Sequence, residues 1–217
     1  VSNGAGHRSA ACSAAADVTS PAVTLAQTPV DAFVWRRDLP GTPAEVNKAL
    51  ARAQHAGVIV RIRQGLYFKG TKTRYGSTHP NATAIALQIL GHIGVGPTSV
   101  AAAQALGLTT QIPAEPAFAV AGPAPRSIPG LRICTRANTL RRTLNFQEIA
   151  LLELLRGDWV YVVDDGWTAL AAAAALAQAA GSVDLVKLGE VVTAEPSRAA
   201  RTNFARLMRS LDQQRRA

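Results

Sequence analysis

The sequence predicts an α+β protein, with an N-terminal winged helix-turn-helix followed by a larger, helix-rich α+β domain. Three observations carry this expectation. Residues 42–57 hold the start and stop signals of a helix, residues 58–69 alternate like a β-hairpin, and basic charge is concentrated over both. The 217 residues, 48% hydrophobic and 17% charged, can bury a core without disulfides or metals.

Residues 1–20 are rich in Ala, Ser and Gly and read as a disordered segment; they lack the Leu/Ile-rich run of a signal peptide. Val1 in place of Met fits an alternative start codon or a fragment. Residues 20–28 predict a short helix ended by Pro29. The run DAFVWRRDL, 31–39, predicts a short strand or a tight helix, with Trp35 in the core. Next, Thr42 is an N-cap, Pro43 suits the first helical position, and Glu45 completes a capping box. Val46, Leu50, Ala53 and Gly57 share one face, with Lys48, Arg52 and His55 opposite, and Gly57 stops the helix. VIVRIR (58–63) and LYFK (66–69) are two strands joined at Gln64 and Gly65. Alternation puts Phe68 in the core and makes Tyr67 structural rather than a phosphate contact. Together these elements define a domain over residues 21–76.

A boundary at 76–80 opens the second domain, 80–217. Helices are expected over 80–93 and 98–106, and strands over 117–122 and 131–137. A helix over 145–157 opens at Asn145 and carries an apolar stripe of Ile149, Leu152 and Leu155, with Glu148 and Glu153 exposed. Asp164 and Asp165 are expected to cap an Ala-rich helix over 165–181, and a basic helix forms the tail from 197.

Net charge is +9, and its placement is informative. Between 36 and 74, nine Lys/Arg stand against two acids, Asp38 and Glu45, an excess of seven. A basic helix face alone reads as a solvated surface. Followed at once by a basic hairpin, it points to duplex DNA, with the helix in the major groove and flanking cations on phosphates. The candidate contacts are Thr42, Asn47, Lys48 and Arg52 on the helix, and Arg61, Arg63, Lys69, Lys72 and Arg74 on and after the hairpin. Arg36 and Arg37 read either as backbone contacts or as plain surface charge. Asn47 has the groups to pair with adenine, and arginine those to pair with guanine.

Catalytic signals are poor. GHIGVGPTS (91–99) has neither a Walker A lysine nor a GxGxxG pattern. His7, His55, His79 and His92 show no ligand spacing with Cys12 and Cys134, and no nucleophile elbow is present. The expectation is a protein that is not an enzyme, with no catalytic residue, metal or cofactor. No apolar run approaches the ~18 residues that cross a bilayer. Two distant cysteines fit a reducing, cytoplasmic setting.

The run DAFVWRRDL…EVNKALARAQHAGVIVRIRQGLYF resembles the N-terminal winged helix of AbiEi-type antitoxins from type IV, abortive-infection toxin–antitoxin systems. The family's V–x–x–A–L–x–R–x–x–x–x–G–x–I–x–R–I–x–x–G–L–Y pattern falls on Val46, Ala49, Leu50, Arg52, Gly57, Ile59, Arg61, Ile62, Gly65, Leu66 and Tyr67. AAQALGLTTQIPAEPAFAVAGPAPRSI, 102–128, is similar to the segment that follows it in the family. The resemblance covers residues 30–160, the last third matching only loosely. It implies an autorepressor that binds inverted repeats in operator DNA. Its C-terminal domain would antagonise a nucleotidyltransferase-like toxin encoded beside it. DNA contacts would fall on Asn47, Lys48, Arg52, Arg61, Arg63 and Lys69. A stand-alone regulator sensing a small ligand through its C-terminal domain and a protein–protein adaptor are the other readings. The oligomeric state is open, a monomer binding cooperatively among the choices.

Overall fold

A computed structural model of the chain describes residues 20–125 and 128–216. Cys12, and all of the expected disordered segment except Ser20, lie outside them. The fold is mixed α+β, in two units that divide between His79 and Pro80.

In the first unit, helix α1 (Pro21–Gln27) starts at Ser20, whose hydroxyl accepts from the Val23 amide. Strand β1 (Ala32–Trp35) runs directly into a 3-10 turn (Arg36–Asp38), so both conformations open to DAFVWRRDL occur in succession. Helix α2 (Pro43–His55) has the expected capping box between Thr42 and Glu45. It ends in a Schellman closure, where the Gly57 amide donates to the Gln54 carbonyl and the Val58 amide to that of Ala53. Gly57 sits at φ 67°, a conformation that a Cβ would strain. Strands β2 (Val60–Arg63) and β3 (Leu66–Lys69) follow, in a sheet of order β1–β3–β2 with both pairs antiparallel.

The core of this unit joins Leu25 of α1, Val34 of β1, Leu39, Val46 and Leu50 of α2, and Ile59. Phe68 is buried and meets Phe33 edge to face; Tyr67 is half-buried against the core. Trp35 is only half-buried, because the Arg37 guanidinium lies 4.6 Å over its ring where an apolar neighbour was expected. The polar stretch after β3 folds into a second small ribbon, β4 (Lys72–Thr73) and β5 (Gly76–Ser77). No apolar alternation marks it, because neither strand buries a face.

The second unit begins with α3 (Ala82–Leu90), β6 (Val95–Thr98), α4 (Val100–Ala105), β7 (Ala117–Ala121) and β8 (Arg132–Arg136). A 3-10 segment (Thr139–Thr143) leads to α5 (Phe146–Glu153), which passes into a π turn (Leu154–Asp158) and α6 (Trp159–Val162). Helices α7 (Gly166–Ala179), α8 (Leu185–Thr193) and α9 (Arg198–Arg216) complete it. The sheet order is β6–β7–β8, with β7 antiparallel to β6 and parallel to β8. As the central strand, AFAVA is buried along its whole length, which explains its unbroken apolar run.

Two expectations about carboxylates are corrected. Glu148 and Glu153 are not exposed; both are 1% accessible, because α5 is enclosed on every side. Glu148 accepts the Asn145 and Asp184 amides and pairs with Lys187 at 2.7 Å. Nor does Asp165 cap α7 through its side chain, while Asp164 accepts from the Thr109 hydroxyl.

Glu153 belongs to a buried ionic network centred on Arg141, itself 1% accessible. Arg141 donates to Glu153 at 2.5 Å and to both oxygens of Glu195 at 2.5 and 3.0 Å. Arg136 of β8 forks onto Glu153 at 2.9 and 2.5 Å, and Arg156 of the π turn reaches Glu195 at 3.2 Å. The Asn138 amide also donates to Glu195, and Arg201 of α9 donates to the Glu195 carbonyl. The network thus ties β8, the 3-10 segment, α5, the π turn and the start of α9.

Burial pushes both carboxyls up, but hydrogen bonds and charge from Arg136 and Arg141 at Glu153, and chiefly from Arg141 at Glu195, outweigh it. Both stay below the ordinary glutamate value of 4.5. A carboxylate whose pKa is lower folded than unfolded stabilises the fold above its unfolded value. That contribution is lost as pH falls through the folded value. The urea midpoint of the second unit's unfolding should therefore hold from pH 7 to 5 and drop below about pH 4.5. Arg141→Met should lower stability at pH 7 by about 3–5 kcal/mol, since two buried carboxylates lose their shared partner. A neutral effect in urea titration would contradict this assignment.

Candidate nucleic-acid interface

Helix α2 packs Val46 and Leu50 inward, which fixes what its other faces present. Lys48 and Arg52 are exposed, have no ion pair among the described residues, and line an open groove between α1 and α2 of about 490 Å³. The groove floor is apolar, with Leu25, Ala49 and Ala53. Arg61 is exposed on β2, at the edge of the sheet opposite Tyr67. Arg63 is half-buried, beyond a register shift between Arg61 and Arg63. Lys72 and Arg74 are exposed on the second ribbon.

The remaining sequence candidates are partly or wholly engaged inside the fold. Arg36 Nε donates to Asn47 Oδ1 at 2.8 Å, and the Arg36 amide donates to the Gly65 carbonyl at 2.9 Å. These bonds lock the 3-10 turn, α2 and the hairpin turn together. They also engage the Asn47 oxygen, so part of the acceptor capacity that pairing with adenine would use is already taken by Arg36. Arg37 stacks on Trp35 and stands 3.6 Å from Asp38, with both charged groups exposed. The Thr42 hydroxyl accepts from the Glu45 amide and donates to its carboxylate. That exposed carboxylate is held below its ordinary value chiefly by the Thr42 backbone amide, then by the hydroxyl. Thr42 is therefore occupied in starting the helix.

Lys69 departs most from expectation. Its ammonium donates to the carbonyls of Leu25, Ala26 and Thr28 at 2.9, 2.9 and 2.6 Å. An ammonium has three N–H donors, and all three close the C-terminal end of α1. No donor is left for a phosphate, so Lys69 leaves the set of contacts. Sequence position could not have shown this, because its partners lie more than 40 residues upstream.

Tyr75, which sequence reading did not single out, is 84% exposed at the tip of the second ribbon, with the Arg74 guanidinium 4.5 Å over its ring. The only signal for it was its place beside Arg74 in KTRYGS. A further cationic surface lies on α9, where Arg198, Arg209 and Arg216 are exposed. Among the described residues no group of three or more His, Cys, Asp or Glu is placed to hold a metal ion, and no helix is long and apolar enough to cross a membrane.

Residues 33–152, from β1 to α5, match the model of a family of unknown function, DUF6088. The chain belongs to the DUF6088 family. The match spans the division at His79, so elements of both units are part of what defines DUF6088. No curated protein matches this DUF6088 chain. Among solved structures it is similar to the crystal structure of the RV2827C protein from Mycobacterium tuberculosis, at 14% identity and a TM-score of 0.48. That likeness covers 86% of this chain and 73% of the other.

Lys69→Met keeps the stem of the side chain and deletes the three donors. It should destabilise the first unit by about 1 kcal/mol, since three helix-end carbonyls, two of them part-buried, lose a charged donor. Amide exchange in α1 should accelerate while exchange in the second unit stays unchanged. Unaltered exchange in α1 would refute the clamp.

Proposed function

We propose that this DUF6088 chain is a DNA-binding autorepressor and antitoxin, reading operator DNA with a winged helix in its first unit. The observation that carries the reading is the arrangement around α2. A strand, a helix and a hairpin follow one another, and β1 lies along the return strand of the hairpin, as the strands of a winged helix do. The helix and the hairpin edge both present cations left free by the rest of the fold, namely Lys48, Arg52 and Arg61. A helix about 20 Å long, thirteen residues at 1.5 Å each, fits the major groove. Arg63 and Lys72 flank it as phosphate contacts, and Arg36 acts by fixing the hairpin against α2 rather than by touching DNA.

Antagonism of a nucleotidyltransferase-like toxin is assigned to the second unit on the resemblance to AbiEi-type antitoxins. The exposed arginines of α9 support it, as a surface suited to an acidic partner. Regulation by a small ligand is the second reading. The groove between α1 and α2 favours it, in the first unit rather than the C-terminal domain.

Fluorescence anisotropy on the duplex upstream of its own gene tests the reading. Lys48→Ala and Arg52→Ala should each weaken binding by about 1–3 kcal/mol if they reach bases. The double variant should still neutralise the neighbouring toxin on co-expression. Wild-type affinity in both variants would remove α2 from the interface. Loss of neutralisation in a folded double variant would contradict the division of labour.

A further inference from the structure

The second ribbon is built to hold its tip still. The Thr73 hydroxyl donates to the Gly76 carbonyl at 2.7 Å and accepts from the Tyr75 amide at 3.2 Å. At its base the Thr71 amide donates to the Thr78 hydroxyl, and the Thr78 amide to the Thr71 carbonyl. Gly70 lies so close to the Thr78 carbonyl that no Cβ fits between them. The Ser77 hydroxyl donates to the Gly57 carbonyl at 2.5 Å, which fastens the ribbon to the C-terminal end of α2. With these polar groups satisfied internally, the ribbon leaves Lys72, Arg74 and the Tyr75 ring outside. An aromatic ring displayed to water contributes no burial to the fold, and here it carries a stacked guanidinium.

The position of the ribbon matters as much as its chemistry. The β2–β3 turn is tied through Arg36 to Asn47, in the first half of α2, whereas this ribbon leaves from the far end. Along α2, from Asn47 to Gly57, that separation is on the order of 15 Å. When α2 occupies a major groove, the ribbon therefore stands off one end of the helix, beside the flanking duplex. A guanidinium is the side chain that narrow A·T-rich minor grooves attract, through their enhanced negative potential. Stacking on Tyr75 restrains it, so less side-chain freedom is lost on entry.

We propose that Arg74, stacked on Tyr75, is a minor-groove probe that reads A·T-rich sequence beside the site occupied by α2. This rests on the reading of the first unit as a duplex-DNA binder. Arg74 enters the groove, Tyr75 lies against its sugar wall, and Lys72 contacts a phosphate at its edge. The two-residue tip selects for groove width and against the guanine amino group, the features by which a minor groove distinguishes A·T from G·C.

The test uses the full chain and its upstream duplex, with the tracts flanking the protected sequence made A·T, G·C or I·C. Inosine–cytosine lacks the guanine amino group and so presents an A·T-like minor groove with a G·C-like major groove. The wild type should bind A·T and I·C flanks alike and G·C flanks about tenfold more weakly, in the range of one unfavourable base pair. Arg74→Ala and Tyr75→Ala, verified as folded by circular dichroism, should bind all three duplexes alike. Arg74→Ala should also reduce the slope of log K against log salt by about one, which Tyr75→Ala should not. Variants that discriminate as the wild type does, or I·C flanks that behave as G·C, would overturn the probe and leave DNA binding by α2 standing. A wild type that binds none of the duplexes would overturn both.

Discussion

Arg141 is held between Glu153 and Glu195 at the centre of the second unit, and much of that unit is arranged to make the contact possible. A guanidinium at 1% exposure is tolerable only with its donors satisfied and its charge matched. Glu153 comes from α5, Glu195 from the turn between α8 and α9, and Arg136 and Arg156 balance the second negative charge. Strand β8, the π turn and the last helix are thereby fixed to one another through polar geometry that apolar packing alone does not specify. Asp158 lies beside this network, its carboxyl pushed up first by burial and then by the Glu153 charge.

The same constraint, applied across the chain, separates structural cations from those left exposed and without an ion pair among the described residues. Arg141 and Lys69 have their donors consumed, one in ion pairs and the other by three helix-end carbonyls. Arg206 lies over Trp167 and Trp159 at 4.1 and 5.7 Å, holding α9 against an edge-to-face tryptophan pair. Lys48, Arg52 and Arg61 make no ion pair among the described residues and stand on exposed surface around one helix. Charge density alone marked a region of sequence; the fate of each donor in the fold narrows its cations to a smaller exposed set.

Much of the first unit was legible because its signals are local. The capping box of Thr42 and Glu45, the stop at Gly57 and the alternation of LYFK each depend on residues a few positions apart. What escaped depends on distant partners. VGPT, 95–98, has the glycine and proline that argue against a strand, and becomes β6 because β7 supplies its register. KTRYGS forms a ribbon through hydroxyl bonds rather than apolar alternation, so Tyr75 went unnoticed. Helix α8, over Leu185–Thr193, opens at an Asp184 cap but lacks the capping-box glutamate and glycine stop that flagged α2, and went unread. Glu148 and Glu153 looked like the polar side of an amphipathic helix because Lys187, Arg136 and Arg141 are invisible from within that helix. Among the candidate contacts, local sequence identified the helix and hairpin cations. It could not reveal that Asn47, Thr42 and Lys69 are engaged at home.

The central claim is that the free cations of the first unit bind duplex DNA as a set, with sequence preference. The most direct measurement is the affinity of the full chain for its upstream duplex and for a scrambled duplex of equal length, across a series of salt concentrations. The account predicts tighter binding to the native sequence at every salt, with log K falling linearly against log salt at a slope that reports several neutralised phosphates. Equal affinity for both duplexes, or a slope near zero, would contradict it.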